Sequence, residues 1–109
     1  MTTHVRCGTL FAGDETATRT AATLGFGEDG KPYFWVMSRG RPTVHGAHFA
    51  FLAPDRDAVD TFHAAGLAAG GTDNGAPGPR PIYHASYYAA FVLDPDGNNV
   101  EAVCHTPVD

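Results

Sequence analysis

Two residue types that bind metals and move protons stand in apolar runs of this chain. His48 opens His-Phe-Ala-Phe-Leu-Ala, and Glu101 lies within Asn-Val-Glu-Ala-Val-Cys. A neutral imidazole and a carboxylate form a donor pair that suits a borderline divalent ion such as Zn, Ni, Fe or Mn. The same groups serve as general acids and bases. If both runs are strands, alternation puts His48, Ala50 and Leu52 on one face and Phe49 and Phe51 on the other. Glu101 then faces away from Val100 and Ala102, and a carboxylate turned inward is costly unless it is paired or ligating. A second cluster, Tyr83, His84 and Tyr87, reads either as one wall of a ligand cleft or as an ordinary aromatic strand edge. His45 and His48 face opposite ways on an extended chain, so their spacing makes no ligand pair. His63 falls on a helix and reads as solvated, and His4 reads as an exposed terminal residue.

These groups need elements to hold them. The strand from His48 to Ala53 runs into a helix predicted over Asp55 to Ala69. Asp55 is the N-cap, and Asp57 places negative charge in the first turn. Val59, Phe62, Gly66 and Ala69 form a narrow stripe toward a sheet, and Gly70-Gly71 ends the helix. Thr72 to Pro81 reads as a loop or an irregular edge strand. Strands follow at Tyr87–Leu93 and Asn99–Cys104, joined by Asp94-Pro95-Asp96-Gly97, a turn sequence. Upstream, Thr2–Ala12, Thr18–Phe26 and Tyr33–Met37 read as strands, with turns at Asp14-Glu15 and Glu28-Asp29-Gly30. No helix is expected there.

An internal repeat relates the two halves. Laying Glu28-Asp29-Gly30 over Pro95-Asp96-Gly97 gives an offset of 97 − 30 = 67 residues. Phe34 then stands where the second half has Glu101. His48 maps to 48 − 67 = −19 and the helix to −12 through 2, so the opening strand and nearly all of the helix have no counterpart in the first half. The predicted organisation is one domain over 1–109. It comprises a three-strand meander at 2–37 without opening strand or helix, a linker at 38–46, and a complete βαβββ unit at 47–105.

The second half, from His48 to His105, resembles the vicinal-oxygen-chelate superfamily of glyoxalase I, bleomycin-binding proteins and extradiol dioxygenases. The resemblance is carried by His-Phe-Ala-Phe, Ala-Pro-Asp-Arg-Asp-Ala-Val and Ala-Phe-Val-Leu-Asp-Pro-Asp-Gly-Asn-Asn-Val-Glu-Ala-Val. It implies an α+β fold of paired βαβββ modules, here with an incomplete first module. It implies a metal site drawing on His48 and Glu101, on the cupped side of the sheet. The last strands also resemble the extradiol segment His-x5-apolar-Tyr-x-x-Asp-Pro-x-Gly-x-x-x-Glu. His84 and Glu101 match its catalytic positions, and Phe91 replaces the tyrosine, which counts against dioxygenase chemistry. Family sites use three or four protein ligands. Only two are visible here, so the expected metal binding is weak or absent.

Bulk properties narrow the field. The 109 residues are 43% hydrophobic and 17% charged, with a formal charge of −5. The seven Lys and Arg are scattered, without the basic face that nucleic acid requires. No run approaches the roughly 20 apolar residues of a membrane span. The chain reads as soluble and cytoplasmic, with Cys7 and Cys104 as reduced, semi-buried thiols. No nucleotide cofactor is indicated.

Three functions remain open. One is a metal-free module that binds a small planar or aromatic ligand against Phe34, Tyr83, Tyr87 and Phe91. Another is a metal-dependent lyase or dioxygenase-like enzyme using His48, Glu101 and His84. The last is a non-catalytic oligomeric descendant. A first unit without its covering helix would leave Tyr33 and Trp35 on an apolar face, which predicts a homodimer or closed oligomer through residues 2–37.

Overall fold

The structure, a computed structural model, describes residues 23–28, 30–37 and 42–108. The expected strand Thr2–Ala12, its turn, His4 and Cys7 lie outside the described residues. The strand expected at Thr18–Phe26 is described from Thr23, as β1 (Thr23–Glu28). It pairs antiparallel with β2 (Lys31–Met37), and the register shifts at Phe26/Gly27.

A βαβββ unit follows: β3 (His48–Leu52), α1 (Arg56–Ala68), β4 (Thr72–Pro79), β5 (Tyr88–Leu93) and β6 (Asn99–Cys104). Its sheet has the order β3-β6-β5-β4. β3 runs parallel to β6, the connection that a crossover helix makes possible; the other pairs are antiparallel. β4 is the irregular edge strand expected from its Gly and Pro content, with register shifts on either side of Gly75.

Asp55 caps α1 as expected, its side chain accepting the Ala58 N–H at 2.8 Å. Val59, Phe62 and Gly66 are buried on the inward stripe. Ala69 departs from the expectation. It is the exposed C-cap rather than a stripe residue, because the chain leaves the helix there through Gly70, at φ +108°. Gly71 then passes so close to β5 that a Cβ would lie 2.4 Å from Val92 Cγ1. His63 departs as well. Its Nε2 meets Asp73 Oδ1 at 2.9 Å, tying the helix to β4 rather than facing only water. The Gly75 N–H, and then His63, hold the Asp73 carboxyl below the usual carboxylate range.

The sheet has two distinct faces. Val92 and Ala90 of β5 and Val100, Ala102 and Cys104 of β6 pack with Val59 and Phe62 into the core, joined by Phe51 and Tyr88. Cys104 is a free, buried thiol. Alternation then turns Phe91, Glu101, Val103, His48 and Ala50 to the other face, open only in that no described helix covers it, with Glu101 and Val103 nonetheless buried there. β1–β2 meets this unit through Phe34, which packs edge-on against Phe49 and Phe51 at 5.4 and 5.0 Å. No helix among the described residues is long and apolar enough to cross a membrane.

Candidate functional site

A single residue fixes how β3 enters the sheet. Asn98 ends the β5–β6 turn and is 5% exposed. Its Nδ2 donates to Val44 O and to Asp94 Oδ2, both at 2.9 Å, and its Oδ1 accepts the Ala47 N–H at 2.9 Å. The Asn99 N–H donates to Ala47 O at 2.8 Å. The segment before β3 is thereby stapled to the turn before β6. That sets the register in which Ala50 lies beside Glu101 and His48 beside Asn99.

Glu101 is the centre of the open face. It is 1% exposed, among the largest fully buried side chains. Its Oε1 is 2.7 Å from His48 Nε2, and its Oε2 accepts the Tyr87 hydroxyl in a short hydrogen bond. A carboxylate only accepts, so His48 carries its proton on Nε2. Burial, followed by the bond to Glu101 and its charge, pushes the Tyr87 hydroxyl up to about 12. Tyr87 therefore remains a donor at neutral pH. Phe91, directly across the ladder from Glu101, lies 6.2 Å from the His48 ring.

Tyr87 also joins a second group. Tyr83 packs on it at 4.8 Å, and His84 and His105 meet it edge-on at 5.3 and 5.2 Å. His84 Nδ1 accepts the Ser86 N–H at 3.0 Å, so its proton sits on Nε2 and is directed to His105 Nδ1, 2.9 Å away. Glu101 thus meets Tyr87 at its hydroxyl and His84 meets it at its ring.

The structure brings together His48, Tyr83, His84, Tyr87, Phe91 and Glu101. It does not bring Phe34 to them; that ring lies against Phe49 and Phe51, on the side of β3 opposite His48. Sequence reasoning missed three contributors. Asn98 was hidden in a turn motif read only for its Pro and Gly. His105 falls just past the last strand. Arg80, one of the scattered basic residues, lies with its guanidinium 5.4 Å over the Phe91 ring.

A divalent metal, which the fold family implies, can be tested against these donors. His48 and Glu101 supply two, and one Glu101 oxygen is already taken by Tyr87. Among the described residues no group of three or more His, Cys, Asp and Glu side chains is placed to hold an ion. The described donors alone do not fit the three- or four-ligand sets of such sites.

Fold and site define a class: a βαβββ unit whose open sheet face presents a buried carboxylate among aromatic and imidazole groups. Residues 8–102 match the Glyoxalase/Bleomycin resistance protein/Dioxygenase superfamily, and the chain belongs to that family. A crystal structure of a glyoxalase/bleomycin resistance protein from Albidiferax ferrireducens T118 is 27% identical, with a TM-score of 0.68. The match covers 94% of this chain and 97% of that one. A glyoxalase/bleomycin resistance protein/dioxygenase family enzyme from Burkholderia phytofirmans PsJN is also 27% identical, with a TM-score of 0.50. There the match covers 62% of this chain and 50% of the relative. Among curated proteins, none matches. The fold is the α+β glyoxalase/bleomycin-resistance fold expected from the sequence.

Proposed function

We propose that this protein binds a small planar or aromatic ligand on the open face of its four-stranded sheet, without requiring a metal. The observation that carries the reading is the state of Glu101. A carboxylate this deeply buried needs compensation, and both of its oxygens already have it, from His48 and Tyr87. The Phe91 ring beside it offers apolar area, and the Tyr83, His84 and Tyr87 rings offer a polar-rimmed aromatic wall, the usual make-up of a small-molecule site. Sequestration is favoured over metal-dependent lyase or dioxygenase chemistry because the described donors fall short of a ligand set. The reading carries with it the cytoplasmic setting expected from the sequence. It also carries the homodimer, supported by Tyr33 and Trp35, 54% and 42% exposed on one face of β2.

The test is a thermal-melting screen of chelator-treated protein against planar aromatic compounds, with metal analysis alongside. A melting shift that is the same before and after chelation is expected, since a ligand that binds only the native state stabilises it. A shift that appears only when Zn, Ni, Fe or Mn is restored would overturn the metal-free reading in favour of the enzyme. Sedimentation at micromolar concentration checks the dimer, and a monomer would remove it.

A further inference from the structure

We propose that Arg80 makes the open face a receptor for carboxylates, so that the ligand class is aromatic or enolic carboxylic acids rather than neutral planar molecules. This rests on the reading of the open face as a ligand site and narrows it.

Arg80 follows edge strand β4, and its backbone N–H donates to Tyr87 O at 2.7 Å, which sets it beside the Tyr87–Glu101 pair. Its half-buried guanidinium folds back over the Phe91 ring. Nη1 donates to Gly78 O at 2.9 Å and to Pro79 O at 3.3 Å, and Nη2 donates to Ala76 O at 2.8 Å. The strand makes room for it. A Cβ on Gly75 would lie 3.3 Å from Nη2 and 2.8 Å from Phe91 Cδ1, and one on Gly78 would lie 3.2 Å from Nη1. Two glycines in an edge strand are otherwise a loss of β propensity.

The guanidinium is therefore fixed in place, yet it has no carboxylate partner among the described residues. Among the described residues, backbone carbonyls occupy three of its five N–H groups and leave the Nε–H and one Nη2–H for a ligand. A positioned guanidinium with free N–H groups is the usual recogniser of a planar oxyanion. The other charged group on this face, Glu101, is closed off by His48 and Tyr87. A ligand carboxylate thus finds its favourable position at Arg80, with its ring on the apolar surface around Phe91. The chain's formal charge of −5 disfavours anions at long range. Any preference for an acid over its neutral amide must then come from a local cation.

The experiment titrates the protein with naphthalene-2-carboxylate and with naphthalene-2-carboxamide at constant pH and ionic strength. Binding is followed in wild type, Arg80→Gln and Arg80→Lys. The wild type should bind the acid about tenfold or more tightly than the amide, the scale of a charge-assisted hydrogen bond. Arg80→Gln should bring the two within about twofold, with a circular-dichroism spectrum and melting temperature close to wild type showing that the variant is folded; Arg80→Lys should fall between. Equal binding of acid and amide by the wild type, or a preference that survives Arg80→Gln, would overturn the role of Arg80 and leave the aromatic site standing. Binding of neither compound would remove the aromatic site itself, and the inference with it.

Discussion

The strand–turn–strand units β1–β2 and β5–β6 are related by the 67-residue offset, and they have come to do different things. Carried forward by 67, β2 spans 31 + 67 = 98 to 37 + 67 = 104, against 99–104 for β6. The turn glycines correspond, Gly30 at φ +73° and Gly97 at φ +84°. What lies between the strands differs. Glu28 pairs with Lys31, so two residues close the first turn; Leu93 pairs with Asn99, so five close the second. The longer turn has room for Asp94 and Asn98, whose side chains anchor the approach to β3. The shorter one has no such room, and β2 docks through Phe34 instead. Two strands of similar length thus carry a buried carboxylate in one unit and an apolar contact in the other, at the same repeat position.

The largest expected effect separates core from contact. Phe62 is 1% exposed within the helix–sheet core. Phe62→Ala should cost about 3–5 kcal/mol in urea unfolding, and Phe34→Ala, at a half-buried ring, less than half as much. Equal losses would mean that β1–β2 and the βαβββ unit share one core. Next comes the staple. Asn98→Ala removes three side-chain hydrogen bonds and should cost about 2–3 kcal/mol. It should also move the His48 ring resonances, because the β3 register loosens; unchanged His48 signals would show that β3 is set by other contacts. The smallest effect is a pH dependence. Folding raises Tyr87 from its ordinary value near 10 to about 12, so the folded state holds that proton more tightly. Its contribution is complete below pH 10 and is lost as pH rises toward 12. Tyr87→Phe should be less stable by about 1–2 kcal/mol below pH 10, since it strips Glu101 of a donor, and should lack that alkaline loss. An identical alkaline profile in the variant would assign the loss to another group.

Much of the βαβββ unit was legible because its signals are local. Asp55 as cap, the Val59–Phe62–Gly66 stripe, and Asp94-Pro95-Asp96-Gly97 as turn each act within a few residues. Alternation gave the faces within β3 and β6, and the family resemblance, rather than alternation alone, put His48 and Glu101 on a common face. Phe34 was not legible in the same way. The repeat gives its strand position, but the rings it meets, Phe49 and Phe51, depend on how one unit docks on the other. Arg80 was not legible either. A cation in a Gly/Pro-rich segment signals nothing until β4 is seen to curl its carbonyls around the guanidinium. His63 looked solvated because its partner, Asp73, lies beyond the helix end on the next strand.

The proposed ligand site is the Tyr87–Glu101–His48 face, without metal, and not the aromatic contact of β1–β2. Chemical-shift mapping of isotope-labelled, chelator-treated protein with naphthalene-2-carboxylate and naphthalene-2-carboxamide tests it most directly. The predicted result is a set of perturbations confined to His48, Tyr87, Phe91, Glu101 and their neighbours, saturating without added metal. Perturbations centred on Phe26 and Phe34, or none until a divalent ion is supplied, would contradict it.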